Sequence, residues 1–416
     1  MAVIDTLVVG AGPAGVAATV ALRRAGHDVL LVDKAEFPRD KCCGDGLTTL
    51  ALRELEILGF DPATVPDFRT VDGAVLRAPS GRTLKVPLPA GEGIYAAVAP
   101  RLELDAALVR LAVDADDDVR LGDGVKTAAI AADGTAAIGV DGLGDVVARH
   151  VVAADGMWSP TRKSLGIGGD GYLGEWHAVR QYVTGVTGPA AHELIVWFDD
   201  DLLPGYAWSF PLHGGRVNVG FGVLRDGSRT GKDVRDLWAG LLDRPHVHSA
   251  LGPAAEPAGR HLAWPIPARI DRATLAHGPV LFTGDAAAAT DVMTGEGIGQ
   301  ALLTGRLAAA AIAARGHDDA IAERYRDLVR TELVADHRAS VLLGRVLRHR
   351  RGADAALTIV AHSGTWGRRN FARWMFEDEP RAIAVTPRRW HRRFLARPGP
   401  YSAFLGHSGR RAGSLR

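Results

Sequence analysis

Several short stretches of this 416-residue chain carry residues whose types and spacing could do chemistry. In "TLVVGAGPAGVAATVALRRAGHDVLLVDK", Gly10, Gly12 and Gly15 stand at G-x-G-x-x-G spacing, with Pro13 and Ala14 between them. Asp33 follows at about the twenty-residue interval such fingerprints use. Gly10 permits a tight turn, Gly12 lets backbone approach a pyrophosphate, and Gly15 lets the next helix lie close to the strand. The helix N-terminus then offers its N–H groups to phosphate, and the Asp33 carboxylate accepts from ribose hydroxyls. An ordinary glycine turn would need no acid there, so the stretch reads as a dinucleotide site, with FAD and NAD both open. Two further pairs, Asp155-Gly156 and Gly284-Asp285, end strand-like runs, and the second is followed by Gly295, Gly297 and Ile298. The chain's two cysteines, Cys42 and Cys43, sit together in "FPRDKCCGDGL", and Tyr206 and Trp208 stand two apart in "GYAWSFP".

The elements that must position these residues are those of an α/β protein. Val8 and Val9 close a buried strand, an Ala-rich helix runs to Gly26, and "DVLLVD" returns as a second strand ending on Asp33. "RHVVAADG" and "GPVLFTGD" repeat the pattern, each placing an acid at the C-terminal edge of a parallel strand, where doubly wound sheets bind ligands. A long Ala/Leu helix then runs to Gly316. Between them, residues 171–268 are rich in β-branched and aromatic side chains, with turns at "TGVTGP", "DDDLLPG" and "LHGGR" and a return strand at "HLAWPIP". They read as an inserted antiparallel sheet roofing the pocket, with Trp197, Phe198, Trp208 and Phe210 suited to a long apolar substrate. The expected organisation is a dinucleotide-binding domain over 1–170 with an excursion near 66–95 toward the substrate domain, the sheet over 171–268, a closing segment over 269–320, and C-terminal helices with a basic tail over 321–416.

Composition narrows the partners. With 49 Lys and Arg against 48 Asp and Glu, the whole molecule has no field to draw nucleic acid. Two cysteines make no disulfide framework, which favours a reducing, cytoplasmic setting. The N-terminus has no basic region before its short apolar run, and no segment reaches the roughly twenty apolar residues of a membrane span. From residue 381 onward there are nine arginines and no acids, interleaved with Trp390, Phe394, Tyr401 and Phe404. That tail reads as a solvated end or as a peripheral contact with anionic lipid. No G-x-S-x-G occurs and the histidines are scattered, so neither serine-hydrolase nor metal chemistry is expected.

Three nucleotide-edge motifs in this order resemble the FAD-dependent oxidoreductases of the aromatic-hydroxylase fold. The resemblance implies FAD, with Asp155, Gly284 and Asp285 at its pyrophosphate and ribityl chain. It also implies that the helix starting at Gly295, Gly297 and Ile298 aims its dipole at the flavin N1/C2=O edge, and that Arg101, opening "RLELDAAL", contacts the cofactor. One departure stands out: where the family reads Asn-Pro-x-x-G-x-G, this chain has Asp291, Val292, Met293, Thr294, Gly295, Glu296 and Gly297, so the environment of the flavin ring is less secure. Within that fold, Lys34, Phe37, Pro38, Arg39, Lys41, Cys43, Gly44, Asp45, Gly46 and Leu47 match a motif of the geranylgeranyl reductase family. Tyr206, Trp208, Phe210, Pro211, Gly220 and Gly222 match a second.

That closer resemblance implies a reductase of isoprenoid C=C bonds. Reduced flavin would deliver hydride to one alkene carbon, a proton would reach the other, and NADPH or ferredoxin would supply electrons, since no second strand, G-x-G-x-x-G turn and helix in sequence marks an NADPH domain. Cys43 would line the cavity or donate the proton, and Tyr206 and Trp208 would steady a developing cation; simple core packing stays open for all three. The rival from the same fold is an FAD monooxygenase hydroxylating or epoxidising an aromatic, polyketide-like or terpenoid substrate. A halogenase is disfavoured by the lack of W-x-W-x-I-P. A prenyl-lipid binding protein that has lost FAD is opposed by the intact Asp33, Asp155 and Asp285.

Overall fold

The computed structural model describes residues 3–113, 118–168, 171–383, 386 and 397–402. The segment Val3–Val9, apolar and buried at its end, becomes a central strand with a parallel neighbour on each side, Val29–Asp33 and Gly144–Ala153. Val280–Phe282 extends the sheet parallel to Gly144–Ala153, and Val119–Leu121 extends it beyond Val29–Asp33. Register then does the assembly. Val9 is paired with Val32 and with Ala153, and Ala153 with Phe282, so the residues following these strands emerge on one edge. The sheet is mixed, because Val125–Ile130 and Ala136–Val140 form an antiparallel excursion on Gly144–Ala153 and Ala276–His277 pairs antiparallel with Val280–Phe282.

Two helices, Pro13–Arg24 and Ile298–Ala313, pack together beside this sheet. The second is apolar nearly all round and almost wholly buried, as a helix inside a core should be. Their approach depends on glycine: a Cβ on Gly305 would lie 2.0 Å from the Ala14 carbonyl oxygen, and one on Gly15 would lie 1.7 Å from the Gly10 oxygen.

The second sheet has seven strands in the order Glu256–Ile266, Trp176–Thr184, Val217–Leu224, Tyr206–Pro211, Leu194–Trp197, Gly73–Arg77 and Thr83–Pro87. Neighbours are antiparallel except Leu194–Trp197 with Gly73–Arg77. Alternation divides its two faces. Ala207, Val219 and Phe221 join Val234, Leu241, Val247 and Leu251 of the helices Gly231–Leu241 and Pro245–Leu251 in a core of their own. Trp197 belongs to that covered face, against His246, and does not reach the substrate side expected of it; its neighbour Phe198 does.

Beyond Asp318–Val329 the chain continues through Ala335–Leu347, Arg350–His362 and Gly364–Met375, the last packing on Thr83–Pro87. The expectation of a solvated tail fails at the ends that are described. Arg381 is buried in ion pairs, and Tyr401 is buried with its hydroxyl donating to the Phe60 carbonyl at 3.0 Å. Trp390, Phe394 and Phe404 lie outside the described residues. No described helix is long and apolar enough to cross a membrane.

Candidate functional site

Between the two sheets lies a cavity of about 1280 Å³, larger than the roughly 300–1,000 Å³ of a pocket for one small ligand. One end is built from the strand edge. Gly10 takes φ 101°, and a Cβ there would sit 2.4 Å from the Ala154 carbonyl oxygen. Gly12, Pro13 and Ala14 face the cavity, and the helix they start has no side-chain cap. Asp33 lines the cavity while its Oδ2 accepts from the Ala11 N–H at 2.6 Å and its Oδ1 from Ala35 at 2.8 Å, which fixes both the acid and the glycine turn. Asp155 Oδ2 accepts from the Thr161 N–H at 3.0 Å, while its Oδ1 is buried with no hydrogen-bond partner among the described residues. Burial pushes that carboxyl up, against hydrogen bonds from Ser159 and Thr161. A buried orphan oxygen, an uncapped helix N-terminus and a glycine cradle that a Cβ would fill are what a dinucleotide satisfies. Gly15 works behind this wall as a packing residue, whereas Gly284, Asp285 and Lys34 line it.

The segment 37–47 folds over the same end. Lys41 reaches Asp285 at 2.9 Å and Arg39 reaches Asp105 at 2.9 Å. Arg101, buried and lining the cavity, holds Asp105 through two bonds of 2.7 Å. Cys43 lines the cavity, its thiol pushed up by burial, and Cys42 turns to the Leu262 carbonyl at 3.4 Å; both thiols are free. Gly44 and Gly46 also line the wall, and a Cβ on Gly46 would lie 3.0 Å from the Phe210 ring. The loop can therefore rest on the aromatic row only with small residues there. Asp45 departs from the expected cofactor contact. It sits at φ 64° and points away from the cavity, accepting from the Tyr182 hydroxyl at 2.7 Å, Asn218 at 2.8 Å and the Arg101 N–H at 3.2 Å. Burial pushes its carboxyl up to about 6, with the Tyr182 and Asn218 hydrogen bonds holding it down. It is a buried staple joining loop, helix and sheet.

The turn that lacks proline is stiffened by other means. Asp291 Oδ1 accepts from the N–H of Met293 at 3.0 Å and of Thr294 at 2.8 Å, and from the Thr294 hydroxyl at 2.9 Å. Its Oδ2 receives Ser340 at 3.0 Å and Arg381 at 2.5 Å. Gly295, Gly297 and Ile298 line the cavity, but the helix they start is not open as expected. Glu296 Oε1 accepts from the Ile298 N–H at 3.0 Å and the Gly299 N–H at 3.1 Å. An acid at a helix N-terminus satisfies its unpaired donors, so the dipole meets Glu296 first. Burial, then repulsion from Glu377, pushes the Glu296 carboxyl well above the usual range. Nothing in the spacing of G-E-G announced that role.

The far end is apolar. Phe198, Tyr206, Trp208 and Phe210 form a continuous row with neighbouring centroids 6.0 Å apart. Tyr206 donates its hydroxyl to the Thr294 carbonyl and Trp208 its N–H to Asn218 at 3.1 Å, so neither polar tip is free. Opposite stand Leu343, Leu347, Leu357, Val360, Phe371 and Trp374 from the three C-terminal helices. Sequence reasoning missed this wall. Its apolar residues are interspersed with arginines, and only the tertiary fold shows which face turns inward.

A sequence profile described as the FAD binding domain matches residues 3–327. The chain is 35% identical over 336 residues to the menaquinone reductase of Mycolicibacterium smegmatis, spanning 76% of this chain and 78% of that protein. It is 33% identical over 337 residues to digeranylgeranylglycerophospholipid reductase 2 of Methanopyrus kandleri, spanning 78% and 81%. The crystal structure of a geranylgeranyl bacteriochlorophyll reductase-like protein from Thermoplasma acidophilum has the same fold, with a TM-score of 0.76 at 21% identity over 93% of this chain and 99% of that one. A cradle fitted to a dinucleotide, continuous with a long apolar channel, and these relationships lead to one conclusion: the chain is an FAD-dependent oxidoreductase and belongs to the geranylgeranyl reductase family of aromatic-hydroxylase-type flavoproteins.

Proposed function

We propose that this enzyme saturates C=C bonds in the prenyl chain of a lipid or quinone. The observation that carries the reading is the continuity of the cavity from the dinucleotide cradle into a channel walled by the Phe198–Phe210 row and the C-terminal helices. A prenyl chain is apolar along its length and binds by burial, with aromatic faces available to a developing carbocation. The two similar reductases named above fit the same reading.

Gly10, Gly12, Pro13, Ala14, Asp33, Lys34, Arg101, Asp155, Gly284 and Asp285 would hold FAD. Bound and reduced, the flavin supplies hydride for one alkene carbon. The protein's own part is to exclude water, align the chain and supply a proton to the other carbon. Cys43 and Glu296 both line the cavity and both are pushed by burial toward their protonated forms. Glu296 carries the more acidic of the two protons, which suits a general acid at neutral pH. Tyr206 contributes its ring, since its hydroxyl is committed to Thr294.

The test is anaerobic turnover of the purified flavoprotein with dithionite, presenting geranylgeranyl diphosphate and a prenyl quinone in separate reactions, with products followed by mass. Gain of one hydrogen pair per bond is expected. Gain of an oxygen atom by an added aromatic compound on admitting air, with no saturated prenyl product, would replace the reductase by a monooxygenase.

A further inference from the structure

The three helices that wall the apolar end of the cavity also carry an unusual outer surface. Leu342, Val346, Ile359 and Trp366 are 62, 54, 71 and 70% exposed, the four most exposed large apolar side chains of the described chain. Scattered single apolar residues on a surface need no explanation, but a concentration of them does. Val346 and Ile359 are also part of the cavity wall. The patch is therefore the rim of the cavity.

Charge follows the same segment. Residues 335–375 contain eight arginines and two aspartates, in a chain whose totals are 49 basic and 48 acidic residues. Arg345, Arg348 and Arg351 are exposed. Leu342, Arg345 and Val346 stand at i, i+3 and i+4 in one helix and so share a face. Apolar side chains and arginines on one exposed helical face suit the boundary between headgroups and acyl chains, where the arginines meet anionic lipid and the apolar groups enter the hydrocarbon.

We propose that residues 335–375 dock this enzyme on an anionic bilayer with the cavity rim against the membrane, so that a prenyl chain passes from the bilayer into the channel without crossing water. This rests on the isoprenoid reading of the cavity and adds where the substrate comes from. A water-soluble substrate would need no such rim. A chain dissolved in the bilayer would otherwise expose its whole apolar length to water on transfer. The contact is made by the folded helices that form the channel and not by the basic tail beyond residue 381.

The experiment is flotation of the full-length holoenzyme with vesicles of phosphatidylcholine alone and of phosphatidylcholine mixed with phosphatidylglycerol. It is repeated for Leu342→Glu/Trp366→Glu, two exposed positions outside the cavity wall, and for a chain lacking residues 403–416. The native protein is expected to float with the anionic vesicles and to release as salt rises. The double variant should lose about tenfold or more in partitioning. It should keep its flavin spectrum and its reduction of a dispersed short prenyl diphosphate, while losing reduction of a prenyl quinone held in vesicles. Equal flotation of variant and native protein, or flotation lost only on removing residues 403–416, overturns the docking face and leaves the reductase reading standing. Flotation that depends on Leu342 and Trp366, with no prenyl compound reduced by either protein, keeps the docking face and removes the reductase reading.

Discussion

Replacing Arg381 by methionine should loosen the flavin site from a distance. The Arg381 side chain is 3% exposed and lies 2.5 Å from Asp291 and 3.1 Å from Glu377, themselves 4% and 8% exposed. It also lies over the Trp374 ring at 5.9 Å. Methionine keeps most of the apolar stem but strands two buried carboxylates, and breaking a buried pair from one side costs about 3–5 kcal/mol. Asp291 organises the turn leading to Gly295 and Gly297, so part of that loss should appear as weaker FAD binding, about tenfold for each 1.4 kcal/mol. The pH dependence is fixed in sign. Burial opposes the Asp291 charge, but Arg381 and the Thr294 hydrogen bonds hold its carboxyl below the usual range. That stability is present above the unfolded value of about 3.9 and lost as pH falls through the folded one. The gap between native protein and variant should therefore be narrow in acid, open as Asp291 ionises, and widen again above about pH 7, where Glu377, pushed up to about 7 by burial, becomes a second carboxylate beside Arg381. Urea unfolding followed by the fluorescence of the nine tryptophans, with FAD release measured in parallel, tests this. Adding Asp291→Asn to the variant should cost less than it costs the native protein. A loss under about 1 kcal/mol, unchanged by pH and additive with Asp291→Asn, would refute the reasoning.

Gly15→Ala should abolish FAD retention, because its Cβ would meet the Gly10 oxygen at 1.7 Å; a fully yellow variant would contradict this reading of the cradle. Asp45→Asn should flatten one part of the pH–stability curve. A folded value of about 6 against about 3.9 unfolded means stability is full below the lower value and falls by roughly 3 kcal/mol as pH rises to the upper one. The stability of the variant relative to native should thus rise between about pH 4 and 6, and parallel urea curves across that range would argue against it. Glu296→Gln should keep FAD yet slow alkene reduction by about 100-fold or more if its proton is the one transferred. Tyr206→Phe should lose only the order of 1 kcal/mol of stability from its hydrogen bond to Thr294; a severe activity loss in Tyr206→Phe with normal turnover in Glu296→Gln would reverse the two roles.

The dinucleotide half was legible because its signals are local. Each glycine or acid follows its own strand, and parallel register alone brings Gly10, Asp33, Asp155 and Gly284 to one edge. The aromatic row was half legible, since alternation puts Tyr206, Trp208 and Phe210 on one face but does not say which face is covered, and Trp197 lies on the other. The side chains that defeated sequence reasoning take their roles from distant partners. Asp45 looked like a cofactor ligand until Tyr182 and Asn218 came round to it, and Glu296 became a helix cap beside Glu377, some eighty residues on. Arg381 read as part of a basic tail because nothing near it in sequence announces Asp291.

The contact between Ala14 and Gly305 has a consequence for biosynthesis. The two residues are about 290 apart in sequence, which at the roughly 5–20 residues per second of synthesis separates them by about 15–60 s. During that interval the front helix has no partner for the face that Ile298–Ala313 later covers, and the turn bearing Gly284 and Asp285, just after the strand Val280–Phe282, is made only near its end. The seven-stranded sheet, complete by Ile266, has its covering helices Gly231–Leu241 and Pro245–Leu251 within its own span. Cofactor loading is therefore a late event in the life of the nascent chain. The half of the protein that begins first is finished last, and the roof of the pocket is ready before its floor.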